Sequence, residues 1–142
     1  GATHLVDASQ SSPTDIIKQI CPNGVDFAIE ATGRPAVMQQ SIESVRNQGG
    51  TVVVIGNARH GEMLEFNPWH LNLGKKILGT WGGDSIPERD YPRYCKLTEA
   101  GKLNLTPFLN KPTYTLQDIN IALEDLEAGK VARPVIKMEN LD

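Results

Sequence analysis

The chain has 142 residues, 39% of them hydrophobic, and a formal net charge of −3 at pH 7. That is enough for one domain with a sizeable core and too apolar for a disordered segment. With no basic stripe to neutralise phosphates, a nucleic-acid partner is excluded. No apolar run reaches the length of a membrane span, and no signal-peptide pattern opens the chain. Cys21 and Cys95 lie far apart and outside any CxxC, so they read as free thiols of a reducing, cytoplasmic compartment.

Gly1-Ala2-Thr3-His4 lacks an initiating Met and reads as the start of a piece of a longer protein. His4 to Ala8 is a short strand candidate. Ser12-Pro13-Thr14-Asp15 predicts a helix start, with Ser12 as N-cap, Pro13 at the first helical position and Asp15 in the capping-box place. Ile16, Ile17 and Ile20 form its apolar stripe, and Cys21 to Gly24 ends it. A strand from Val25 to Ala31 follows. Pro35 opens the next helix, whose Met38, Ile42 and Val45 share one face. Asn47-Gln48-Gly49-Gly50 stops that helix, and a strand runs from Thr51 to Ile55.

Asn57 to Gly61 reads as a loop. Phe66 to Leu73 is a short helix with Trp69 as its aromatic anchor, and Lys75 to Trp81 is a further strand. A helix is expected from Asp90 to Ala100; ahead of it, Asp84 and Glu88 read as an acidic first turn with Ser85 as cap, with a paired acid function as the alternative. Pro107 to Tyr114 is extended. Thr115 to Asp118 is a second capping pattern, followed by the stripe Ile119, Ala122, Leu123 and Leu126, a stop at Gly129 and a last strand from Pro134 to Met138. Strands alternating with helices predict an α/β fold: an incomplete doubly wound parallel sheet with helices on both faces and a helix-strand tail.

The pattern repeats itself at two places. Asp26 to Pro35 and Thr51 to Gly56 each run from an apolar strand into a glycine. Such strands belong to parallel sheets, which bind ligands outside the carboxyl ends of their strands. Gly33 and Gly56 sit at that end, so the chain carries half of a nucleotide site. Either glycine also serves a tight turn or close packing. Arg34 reads as a solvated arginine or as a guanidinium stacked on a base. Glu30, a carboxylate within an apolar strand, needs a partner and is read mainly as a strand-end hydrogen-bond acceptor. His4, His60 and His70 have no ligand spacing with one another or with the cysteines, so no metal ligands are assigned.

Gly1-Ala2-Thr3-His4, Val25-Asp26-Phe27, Glu30-Ala31-Thr32-Gly33, Gly50 to Gly56 and the tail Gly129 to Met138, with Arg133-Pro134-Val135-Ile136, resemble the carboxyl-terminal part of zinc-type medium-chain alcohol dehydrogenases. The resemblance covers nearly the whole chain. It implies a partial dinucleotide-binding domain over 1–106 and a tail over 107–142 that packs back on a catalytic domain. It implies an adenine-ribose wall at Ala31, Thr32 and Gly33, with Arg34 flanking the adenine. Ile55, Gly56 and Asn57 are implied under the nicotinamide ring, Thr80 and Trp81 at its carboxamide, and Arg133 at a phosphate. NAD or NADP is the implied cofactor and an alcohol the implied substrate of the whole protein. Zinc is implied in the parent, with its ligands upstream of this chain, so the chain alone is expected to be inactive. A homodimer through the 75–81 strand is the implied partner arrangement. A zinc-free quinone or enoyl reductase fragment and a stand-alone, non-catalytic interaction domain remain as alternatives.

Overall fold

The computed structural model describes residues 2–109 and 112–138. The chain divides into two compact units, 1–85 and 86–142.

In the first unit, helix α1 (Pro13–Ile20) precedes strand β1 (Phe27–Glu30), helix α2 (Pro35–Ser44) and strand β2 (Thr51–Val54). The short helix α3 (Trp69–Asn72) then leads into strand β3 (Lys76–Gly79). The three strands form one parallel sheet in the order β1-β2-β3, the architecture expected of a parallel α/β chain. Helix α2 packs on β1 and β2, and α1 packs on α2. The predicted stripe of α2 is the core: Met38, Ile42 and Val45 are buried, Ile42 completely, against Val52 of β2.

Pleating sends alternate residues of a strand to opposite faces. Ala28, Val52 and Ile77 therefore meet the α2 core, whereas Phe27, Ile29 and Leu78 are exposed on the other face. β1 and β3 form the two edges of the sheet.

Several expected elements differ. His4 to Ala8 is not a strand, and Leu5 is 89% exposed. An isolated strand cannot satisfy its backbone, and no described strand lies beside it; Asp7 instead accepts from Ser9 N at 2.9 Å in a local turn. Ser12 is the N-cap of α1 but makes no capping bond, because its hydroxyl lies 2.9 Å from Thr14 Oγ1. The helix expected over 66–73 is confined to α3, where Trp69 is exposed. Phe66, not Trp69, packs on the core.

The second unit holds helix α4 (Pro87–Glu99), strand β4 (Thr113–Tyr114), helix α5 (Ile119–Glu127) and strand β5 (Val135–Ile136). The N-cap of α4 is Ile86 rather than Ser85, and Ile86 N donates to Asp90 Oδ2 at 2.9 Å. A single helical turn over Thr106–Phe108 replaces part of the extended segment expected over 107–114; Asn110 and Lys111 of that segment lie outside the described residues. Thr115 and Asp118 form the predicted capping box. β4 and β5 are parallel. Of the predicted α5 stripe only Ala122 is buried, against Tyr114 and Val131, while Ile119, Leu123 and Leu126 are exposed. Tyr114 OH donates to Asp125 Oδ2 at 2.9 Å and Lys130 Nζ to Oδ1 at 2.8 Å, which holds the Asp125 carboxyl below its ordinary value.

The first core rests on two completely buried side chains, Ile42 and Val52. Ile42→Ala is expected to cost about 2–5 kcal/mol in urea denaturation, while Leu5→Ala, on an exposed residue, changes stability by less than about 0.5 kcal/mol. Equal effects would contradict this assignment of the core.

Candidate functional site

Parallel register places the carboxyl ends of the three strands side by side: Glu30 pairs with Val54, and Val54 with Gly79. The residues that follow are Ala31 to Arg34, Ile55 to Asn57, and Thr80 with Trp81. All of these sequence-predicted positions stand on one rim of the first unit. Arg133 belongs to the second unit, on the exposed turn before β5.

Glu30 joins the first two turns. It is 1% exposed. Its main-chain carbonyl accepts from Ile55 N at 2.9 Å and Gly56 N at 3.1 Å. Its carboxylate accepts from Thr32 N at 2.6 Å, Thr32 Oγ1 at 2.5 Å and Gly33 N at 3.1 Å. Charge-assisted bonds of this kind are short and strong, and they make a carboxylate tolerable in this setting. The strand-end acceptor role read from sequence is the one observed. Thr32 Oγ1 also accepts from Arg34 N at 3.2 Å, which ties the turn to the start of α2.

The two glycines are explained by the same joint. Gly33 has φ +72°, and a Cβ there would come within 2.0 Å of Asn57 O. A Cβ on Gly56 would lie 2.1 Å from Gly33 N and 2.8 Å from Glu30 Oε2. Each turn thus occupies the space that a side chain on the other would need. Close packing of one turn on the other is a use the structure itself displays for both glycines.

Beside the joint lies a cleft of about 450 Å³ lined by Thr32, Gly33, Arg34, Asn57, Arg59 and Glu62. Its size suits part of a small-molecule ligand. The amino terminus of α2 opens next to it and favours negative charge. Arg34 and Arg59 are both exposed, and Arg59 N donates to Glu62 Oε2 at 3.1 Å. Sequence reasoning missed Arg59 and Glu62. The signal was present, because Arg59 follows a strand-end glycine on the same end of the sheet as Arg34.

At the third strand end, Thr80 N donates to Val54 O at 3.2 Å. Thr80 Oγ1 is enclosed with no hydrogen-bond partner, a condition that costs about 1–3 kcal/mol until a partner arrives. Trp81 and Ile55 are exposed on the rim. No group of three His, Cys, Asp or Glu side chains among the described residues could hold a metal ion. His4, His60, Cys21 and Cys95 therefore assemble no such centre.

Residues 1–100 match the zinc-binding dehydrogenase family. The S-(hydroxymethyl)glutathione dehydrogenase of Synechocystis sp. is 31% identical over 138 residues, covering 96% of this chain and 37% of the relative. The crystal structure of benzyl alcohol dehydrogenase from Acinetobacter calcoaceticus superposes with a TM-score of 0.89 at 31% identity, covering 98% of this chain and 38% of that one. A zinc-binding dehydrogenase from Sinorhizobium meliloti, bound to NADP, superposes with a TM-score of 0.70 at 25% identity, covering 98% of this chain and 38% of that one. The chain therefore spans little more than a third of the length of these relatives. The sheet with its paired strand-end turns, together with the matched residues, establishes that the chain belongs to the zinc-binding dehydrogenase family.

Proposed function

We propose that this chain is the cofactor-side part of an NAD(P)-dependent alcohol dehydrogenase, whose whole protein oxidises an alcohol to an aldehyde or ketone. The observation that carries the reading is the carboxyl rim of a parallel sheet, where Glu30 locks two glycine turns together beside a cleft of about 450 Å³. Ligands of such sheets bind on that rim. The residues there fit a dinucleotide: the cleft has room for a nucleoside half, and Thr80 Oγ1 has no partner among the described residues.

In this reading Arg34 lays its planar guanidinium on the adenine, beside the wall formed by Ala31, Thr32 and Gly33. Ile55, Gly56 and Asn57 support the nicotinamide, Thr80 and Trp81 offer polar groups to its carboxamide, and Arg133 pairs with a phosphate. Bound NAD(P) would supply the hydride acceptor. This chain's residues bind and orient it and contribute no acid, base or nucleophile. Zinc does not fit the described residues. Free Cys21 and Cys95 support a cytoplasmic setting, and no helix among the described residues is long and apolar enough to cross a membrane.

The same reading includes a homodimer through the strand over 75–81. It is supported by the position of β3 at an edge of the sheet and by exposed Leu78 and Trp81. Unpaired apolar edges favour strand-to-strand association.

An NMR titration of the 15N-labelled 142-residue chain with ADP-ribose and then NADH tests the cofactor assignment. Shifts are expected at Thr32 to Arg34 and Ile55 to Asn57, with Thr80 responding to NADH alone. Arg34→Ala should weaken ADP-ribose about two- to fivefold. Shifts confined to other residues would refute the assignment. Sedimentation equilibrium tests the dimer: the chain should run as a dimer and Leu78→Lys as a monomer, whereas a monomer at every concentration would contradict it.

A further inference from the structure

At the amino-terminal end of the sheet, opposite the carboxyl rim, a second cavity of about 310 Å³ is lined by Lys18, Asn23, Glu43, Asn47, His70 and Lys75. Five separate segments of the first unit contribute these side chains. Lys75, just before β3, is 8% exposed. Its ammonium donates to Ile42 O at 2.8 Å and Glu43 O at 3.3 Å, the last-turn carbonyls of α2, where a cation suits the helix dipole. An ammonium carries three N–H donors, so one remains after these two bonds. His70 lies on α3, and its Nδ1 is enclosed without a hydrogen-bond partner among the described residues. Lys18 reaches the cavity from α1.

The charges in this cavity do not cancel. Burial, followed by the charge of Lys18, holds Lys75 below its ordinary value. Burial, followed by the charge of Lys75, does the same to His70. Glu43, on α2, is the carboxylate among the lining residues and works in the opposite direction on both. It is itself engaged by Gln39 Nε2 at 3.1 Å. Lys18, Lys75, His70 and two asparagines thus line the cavity together with Glu43.

We propose that this cavity is an oxyanion site, which seats the phosphate or carboxylate group of a small ligand against Lys75 Nζ, Lys18 Nζ and His70 Nδ1. The oxyanion accepts from the third N–H of Lys75 and from the His70 Nδ1–H, and its charge relieves the repulsion between the two lysines. The site is independent of the dinucleotide reading, because it stands at the other end of the strands and shares no residue with the rim.

An anion facing His70 favours the imidazolium. The His70 midpoint therefore rises on binding, and by linkage affinity increases as pH falls through that midpoint. The three histidines of the chain make the test internal. NMR titration of the imidazoles is followed in inorganic phosphate and in acetate, with chloride holding ionic strength constant. In phosphate the His70 midpoint is expected to rise by about one pH unit, while those of His4 and His60 stay in place. Lys18→Gln, a change on the surface of α1, should weaken phosphate about fivefold. A response to phosphate alone assigns a phosphate group; a response to both anions assigns carboxylates as well. The proposal is overturned if His70 responds to neither anion, if all three histidines move together, or if Lys18→Gln leaves the affinity unchanged.

Discussion

A single buried carboxylate sets the geometry of the carboxyl rim. Glu30 ends β1, and its main-chain oxygen receives the first two amides after β2 while its side chain receives the amides of Thr32 and Gly33. One residue thereby stitches its own turn and ties it to the neighbouring one. The arrangement demands glycine at 33 and 56, since a Cβ at either would collide with the backbone of the opposite turn. The start of α2, the position of Arg34 and the cleft beside it all follow from where this joint holds the chain.

Much of this was legible in the residues. The two strand-glycine units, the Met38-Ile42-Val45 face and the capping box at Thr115 are local patterns whose meaning does not depend on distant contacts, and the structure reproduces each. His4 to Ala8 has the composition of a strand but no partner beside it, and pairing is what makes a strand. Trp69 looked like an anchor by size alone, yet the core under α2 is closed by Phe66. At the start of α4 the N-cap falls at Ile86, whose amide is received by Asp90 from one turn further along the helix. In the site, Arg59 follows the strand-end Gly56 as Arg34 follows Gly33, a parallel that the sequence carried and that the cleft makes plain.

The two ends of the sheet have different chemistry for a common reason. Parallel strands gather all their carboxyl ends on one side and all their amino ends on the other. The carboxyl side exposes the start of α2 and receives backbone turns that close on one another. The amino side receives the carbonyl end of α2, which draws in the Lys75 ammonium. Burial of that cation places positive charge where α1 and α3 also deliver Lys18 and His70. The first of these ends is shaped by the strand-end turns; the second rests on the side chains that this chain places there.

The central claim is that Glu30 organises the rim, its carboxylate fixing the first turn against the second. Amide hydrogen exchange on Glu30→Ala tests it most directly, since alanine removes the carboxylate oxygen that accepts from the Thr32 and Gly33 amides. Protection of the Thr32 and Gly33 amides should fall by about 2–3 kcal/mol, while amides in the middle of β2 keep theirs. Unchanged protection at Thr32 and Gly33 would show that the two turns close without the carboxylate and would contradict the account.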